Sequence, residues 1–220
     1  MIALLGGCAS PPPRPPPVPV ALHDTGASWY QRAAASGQQV LGVDASQSIV
    51  TIVVRRGGPM ARFGHDHVIA SRTLAGFVAP DAGRADLHFR LDQMSVDEAA
   101  LRSQAGLDTQ PDADAIEGTR SNMLGKVLEA ERYPVVMLRV ERLGSAGAAS
   151  LVRLGVTLHG VTRHVEVPVQ IERSAKSIAA SGSLRLKQTD FGITPMSVLG
   201  GAMSVQDEME LAFKIVARAN

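Results

Sequence analysis

The 220-residue sequence is poor in cysteine, in aromatic residues and in long apolar runs. Its one cysteine, Cys8, excludes an intramolecular disulfide framework. No run approaches 18 apolar residues, so the sequence predicts no membrane-spanning helix. Lys and Arg number 22 against 21 Asp and Glu, a balance that argues against a nucleic-acid-binding surface. Aromatics make up 4% of the chain and hydrophobic residues 45%, so the core must be built mainly from aliphatic side chains.

The sequence also lacks the local motifs of common enzyme classes. It has no Gly-x-Ser-x-Gly elbow, no phosphate-binding P-loop, no dinucleotide fingerprint and no Cys-x-x-Cys pair. Asp190, Phe191 and Gly192 match a kinase triplet, but no glycine-rich loop, strand lysine or catalytic loop accompanies them. These absences predict a protein that binds a ligand, without catalysis and without a cofactor.

The N-terminal residues resemble an export signal. Residues 1–8 look like the end of a bacterial lipoprotein signal, with Leu5, Gly6 and Gly7 before a lipid-accepting Cys8, although no Lys or Arg precedes this box. Residues 9–39 begin with a proline-rich tract that is typical of a semi-rigid spacer. We therefore expect a periplasmic lipoprotein, held at a membrane by acylated Cys8 and a 9–39 tether. The alternative is an incidental apolar N-terminus.

Residues 40–218 predict one all-β domain of about eight antiparallel strands. Apolar and polar residues alternate as in a half-buried strand, most clearly at Leu87, Phe89 and Leu91. The predicted strands centre on 50–54, 65–78 (bent near Gly76), 87–91, 136–140, 152–158, 161–171, 178–187 and 205–216. Eight such strands can close into a lipocalin-like barrel around one small ligand. A β-sandwich is the alternative fold.

Three local features refine this prediction. A short helical insertion is expected between strands 3 and 4, with a capping box at Ser95 and Glu98 and a second helix that begins near Pro111 and carries an apolar stripe. His159 and Gly160 predict a two-residue hairpin turn with positive φ. Pro168 lacks an N–H, so its strand is expected to be an edge or bulged there.

Four segments, in order along about 170 residues, resemble the YceI-like polyisoprenoid-binding family of bacterial envelope proteins. They are Asp44 with Ser48 and the strand after it; Arg120, Met123 and Leu124 leading into Tyr133-Pro134; residues 157–163, Thr-Leu-His-Gly-Val-Thr-Arg; and residues 189–193, Thr-Asp-Phe-Gly-Ile. The resemblance implies a lipocalin-like barrel whose long apolar tunnel holds a polyisoprenoid or quinone-type lipid.

The alternation predicts which side chains face that tunnel, and Phe191 is expected to plug one end of it. The expected inward residues are Val50, Ile52, Val54, Leu87, Phe89, Leu138, Val156, Val167 and Val169.

His65 and His67 would share a strand face, which leaves three interpretations: local hydrogen bonding, contact with a ligand headgroup, or a metal site. The alternative functions are a metal-binding protein or metal-dependent enzyme centred on this pair, and a structural envelope protein with a filled core. A homodimer is compatible with the sequence.

Overall fold

A computed structural model describes residues 26–219 of the chain. The helices are α1 (Ala27–Ala35), α2 (Ala99–Gln104) and α3 (Ala113–Asn122), the last of which continues as a π-helical turn, Met123–Val127. The strands are β1 (Leu41–Val43), β2 (Ile49–Gly57), β3 (His67–Ser71), β4 (Ala75–Ala79), β5 (Arg84–Arg90), β6 (Ser95–Val96), β7 (Val135–Ala146), β8 (Ala149–Leu158), β9 (Val161–Arg173), β10 (Ser177–Lys187), β11 (Ser197–Val198) and β12 (Met203–Arg218).

The strands form a closed antiparallel barrel. Its order is β1-β4-β5-β7-β8-β9-β10-β12, and β12 pairs with β1 to close the circle. The other part of β12 pairs with β2, from which the sheet continues through β3 to β6. The predicted eight-stranded barrel is confirmed, and the alternative β-sandwich is wrong.

The second predicted strand is interrupted. The strand expected at 65–78 is present as β3 and β4, with the break at residues 72–74 and not at Gly76. Gly76 lies inside β4 with a φ of 138°, where an added Cβ would lie 2.2 Å from the carbonyl oxygen of Asp86. A glycine is required there because β5 passes too close for any side chain.

The helical insertion lies between β6 and β7, as predicted, but its first cap is different. Ser95 hydrogen-bonds Glu98, yet Ser95 belongs to β6, where it pairs with Ala70, so the predicted capping box is wrong. The chain turns into α2 through Asp97, whose φ is 56°. The second helix begins as expected, with the Asp112 carboxylate accepting a hydrogen bond from the Ala115 N–H at 2.8 Å.

The predicted hairpin turn and the predicted edge at Pro168 are both confirmed. His159 and Gly160 join β8 to β9 with φ values of 52° and 75°. Among the described residues, β9 pairs with β10 only from Gln170 to Arg173, so Pro168, two residues before Gln170, has no partner in β10. The turn Thr189–Phe191 lies across the resulting seam, where the Asp190 carbonyl accepts a hydrogen bond from Arg163 Nε at 2.6 Å.

Part of the predicted 9–39 tether is a packed helix. Tyr30 of α1 is 1% exposed, stacks on Phe77 and donates a hydrogen bond to Asp86 at 3.0 Å. Burial and the nearby Asp86 carboxylate raise the pKa of Tyr30. Cys8 and the proline-rich tract lie outside the described residues.

The barrel has two ends with different coverings. The hairpin end carries the β4–β5, β7–β8 and β9–β10 turns, together with α1. The helix end carries the helical insertion, the β2–β3 loop and the connection from β10 to β12.

Candidate ligand-binding site

A cavity of about 440 Å³ runs between the two ends of the barrel. This volume falls within the range of small-molecule pockets in proteins, about 300–1,000 Å³. Every strand of the closed barrel except β1 contributes lining side chains, because residues at alternate positions of a strand point to the same side of the sheet. The middle of the cavity is lined by apolar side chains, most of them aliphatic.

All nine predicted inward residues line this cavity: Val50, Ile52, Val54, Leu87, Phe89, Leu138, Val156, Val167 and Val169. His67, for which a headgroup contact was one interpretation, lines it as well. His65 and Phe191 are not part of the lining. Phe191 is fully buried in the main core, in the turn that spans the β9–β10 seam at the helix end.

Several lining residues were missed by the sequence analysis. The wall also includes Leu154, Leu184, Leu211 and Phe213, and the helical insertion contributes Met123, Val127 and Leu128. The strand residues carry the same two-residue period as those predicted, so the signal was present in β8, β10 and β12. The helical residues belong to the apolar stripe predicted for the second helix, and this stripe closes one end of the cavity.

Polar side chains line the cavity at its ends. Arg84, Arg142, Ser150 and Arg173 lie at the hairpin end, whereas His67, Thr119, Asn122 and Gln188 lie at the helix end. No aspartate or glutamate among residues 26–219 lines the cavity. An apolar middle with polar ends suits an elongated ligand that has a hydrocarbon body and a polar group.

Two of the three arginines in the lining continue the alternation of the strands that carry them. Arg142 follows Val140 on β7, and Arg173 follows Ile171 on β9. Arg173 is held by Asp81 at 2.8 Å, whereas Arg142 has no carboxylate within salt-bridge distance among the described residues.

His67 is fixed by a buried hydrogen-bond network. Its Nδ1 lies 2.6 Å from Asp97 Oδ2, while Asp97 Oδ1 accepts hydrogen bonds from the Val68 N–H at 3.0 Å and from Arg102 Nη1 at 2.5 Å. The side chains of Asp97 and Arg102 have no solvent exposure. Burial alone would raise the pKa of Asp97, but the hydrogen bonds from His67, Val68 and Arg102 hold that pKa below its ordinary value.

This network leaves one nitrogen of His67 available. With Nδ1 occupied by Asp97, Nε2 makes no hydrogen bond to any residue in the 26–219 range. A cavity-lining imidazole with one fixed and one free nitrogen can offer a hydrogen bond to a ligand atom.

His65 and His67 do not form the shared face that the sequence predicted. β3 begins at His67, so His65 precedes the strand, and strand alternation does not apply to it. Their ring centroids are 6.3 Å apart, and His65 Nδ1 instead lies 3.0 Å from Thr109 Oγ1. Within residues 26–219, no group of three or more His, Cys, Asp or Glu side chains is close enough to hold a metal ion, so the structure offers no geometry for the metal hypothesis.

Comparison with known proteins adds independent findings. A family model described as "YceI-like domain" matches residues 43–217. The fold resembles a polyisoprenoid binding domain from Saccharophagus degradans (TM-score 0.57, 16% identity, 83% of this chain and 99% of that one) and BcnA of Burkholderia cenocepacia (TM-score 0.57, 19% identity, 80% and 99%). No curated protein sequence matches the chain.

Between residues 26 and 219, no helix combines the length and the apolar character that crossing a bilayer requires.

Proposed function

Since the chain belongs to the YceI-like family, we propose that it binds an apolar isoprenoid-type lipid inside its barrel and performs no chemistry on it. One observation carries the proposal: the barrel is hollow, and the middle of the cavity is lined by apolar, mainly aliphatic, side chains. A similar fold belongs to a protein described as a polyisoprenoid binding domain. A filled barrel would have favoured the structural alternative.

The physical basis of binding is the removal of apolar surface from water. Each buried CH₂ group contributes about 0.8 kcal/mol, so a prenyl chain gains free energy along its whole length. The absence of carboxylates from the described cavity lining leaves no charged acceptor to be desolvated by the hydrocarbon.

The polar ends then orient the ligand. His67 offers Nε2 at the helix end, and it is the residue that we assign to a headgroup contact. A hydroxyl group, as in the reduced form of a quinone-type lipid, is a suitable partner, because the Nδ1–H donates to the Asp97 carboxylate and the other nitrogen of a neutral imidazole then accepts a hydrogen bond.

Lipid extraction tests the proposal with a pair of neighbouring variants. Leu154 of β8 faces the cavity, and the adjacent Arg153 faces solvent. We expect organic extracts of the wild-type protein and of Arg153→Glu, purified from the native host, to contain a polyprenyl lipid by mass spectrometry. Extracts of Leu154→Glu should lack the polyprenyl lipid, since the new carboxylate would be buried against the hydrocarbon chain of the ligand. Thermal melts establish that both variants fold. Lipid-free wild-type protein, or equal lipid in both variants, would contradict the proposal.

The headgroup contact has its own matched pair. His67→Asn keeps an amide near the position of Nδ1 and removes Nε2, whereas His65→Asn alters a histidine outside the lining. Loss of one hydrogen bond should lower lipid occupancy of the His67 variant by roughly 2- to 10-fold. The His65 variant should match the wild type, and equal occupancy in both would remove His67 from the site.

We further propose that the domain works in the bacterial periplasm, anchored by acylated Cys8. The support is the Leu-Gly-Gly-Cys sequence and the proline-rich tract after it. The mass of the mature N-terminus tests this: a diacylglyceryl-modified Cys8 is expected, and an unmodified chain that retains residues 1–7 would refute it.

A further inference from the structure

Exposed apolar side chains cluster at the helix end of the barrel. Of the six large apolar residues that are exposed among the described residues, four lie in the β2–β3 loop or in the short segment around β11: Met60, Phe63, Val198 and Leu199. We call residues 58–65 and 196–202 the tip loops. They contact each other, since the Met60 N–H donates a hydrogen bond to the Ala202 carbonyl at 2.8 Å.

One of these exposed residues lies on a strained backbone. Leu199 is 69% exposed and has a φ of 52°, the left-handed region that a leucine rarely adopts. Gly200 and Gly201 follow with φ values of 63° and 94°. Phe63, in the other loop, is 58% exposed. A strained backbone that holds a large apolar side chain in water indicates a surface that is covered in use.

The tip loops continue the cavity wall. Met196 and Val205 both line the cavity, and they are joined by a hydrogen bond from the Val205 N–H to the Met196 carbonyl at 2.8 Å. Val198 and Leu199 extend outward from this base. The apolar surface therefore runs from the lining of the cavity to the exposed end of the barrel.

The tip loops carry positive charge and no negative charge. Arg62 is the only charged residue in their 15 positions, apart from the titratable His65, and neither loop contains a carboxylate. The Arg62 guanidinium lies 4.6 Å from the centre of the Phe63 ring and has no carboxylate within salt-bridge distance among the described residues. The next acidic residue, Asp66, is bound to Arg55 and Arg56. Aromatic and aliphatic tips beside an unpaired arginine match the interface of a bilayer that contains anionic lipids.

We propose that the tip loops insert into the surface of an anionic lipid bilayer and bring the helix end of the barrel against it. The membrane contact follows from the loops alone. Its use in loading the cavity rests on the proposed lipid binding, because a prenyl lipid resides in membranes and would reach the barrel through this end.

Vesicle co-flotation tests the contact with the full-length Cys8→Ser protein, which carries no acyl anchor. We expect it to bind vesicles that contain phosphatidylglycerol. Phe63→Ser with Leu199→Ser should reduce binding at least about tenfold, since two apolar side chains no longer leave water. Leu143→Ser, which removes a 41% exposed leucine at the hairpin end, is the matched control and should stay within about twofold.

A charge variant checks the electrostatic part. Arg62→Gln should lower binding to phosphatidylglycerol vesicles about fivefold and leave binding to phosphatidylcholine vesicles unchanged. Vesicle binding by the Phe63/Leu199 double variant that equals the wild type would overturn the proposal. A second result would also overturn it: a wild-type protein that does not bind vesicles and is a dimer in sedimentation, and a double variant that is a monomer. The tip loops would then be the contact between two copies of the chain.

The outcome is separable from that of the proposed function. Lipid extraction of the double variant reports on the cavity, whereas flotation reports on the tip loops. A wild-type protein that floats with vesicles but yields no prenyl lipid would refute the cavity ligand and leave the membrane contact standing.

Discussion

Replacement of Asp97 by asparagine tests the buried network that holds His67. The side chains of Asp97 and Arg102 are both completely buried and lie 2.5 Å apart. Asparagine also tolerates a φ of 56°, so the substitution changes the charge and not the backbone. Without the carboxylate, the Arg102 guanidinium stays buried with no counter-charge, which costs about 3–5 kcal/mol.

This loss should be measurable by urea and thermal denaturation at pH 7. For a chain of this size, about 1 kcal/mol corresponds to 2–4 °C, so the Tm should fall by roughly 6–20 °C. Asp92→Asn is the control, because its ion pair with Arg90 is about half exposed (50% and 46%) and contributes at most about 1 kcal/mol. The double variant Asp97→Asn/Arg102→Met should recover part of the loss, since no unpaired buried charge remains. An Asp97→Asn midpoint equal to that of Asp92→Asn would refute the reasoning.

The pH dependence of the same pair has a defined sign. The pKa of Asp97 is lower in the folded protein than in the unfolded chain, where an aspartate titrates near about 3.9. The stabilisation is therefore fully present above that unfolded pKa and is lost as the pH falls through the folded value. The difference in unfolding free energy between wild type and Asp97→Asn should be largest near neutral pH and should narrow below about pH 4.

Two further predictions concern the barrel wall and helix α1. Gly76→Ala should destabilise the protein by at least about 3 kcal/mol in urea denaturation, because its Cβ would meet the Asp86 carbonyl. Gly118→Ala in α3, where an added Cβ meets open space, should instead stabilise the protein by about 0.5–1 kcal/mol. Two variants that both raise or both lower the free energy of unfolding would contradict this contrast. Tyr30→Phe removes a buried hydrogen bond to Asp86 and should cost about 1–3 kcal/mol and speed tryptic cleavage at Arg32. An unchanged cleavage rate would mean that this bond does not hold α1.

The sequence predicted the barrel well because strand alternation is a local signal. In β7 to β10, each inward side chain is separated from the next by one outward residue, and the inward set at Leu138, Val156, Val167 and Val169 follows from that period alone. The turn at His159 and Gly160 is likewise set by two adjacent residues.

The polar parts of the site could not be predicted in the same way. In the sequence, nothing distinguishes Asp97 and Arg102 from the polar surface residues of a short helix. Their burial arises from contacts with β3 and with Thr109. The role of Tyr30 also depends on a residue 56 positions away, Asp86. Such long-range pairings carry no sequence period.

The wall of the hollow interior reflects the composition of the chain. The number and tilt of the strands fix the diameter of a barrel, and an eight-stranded barrel is wide enough either to be filled by its own side chains or to hold one small ligand. This chain has eight aromatic residues in 220. Only Phe89 and Phe213 among them line the cavity, whereas valine and leucine supply most of the wall. The apolar space along the barrel axis is therefore bounded mainly by aliphatic side chains, and a hydrocarbon ligand that fills it would be in contact with them along its length.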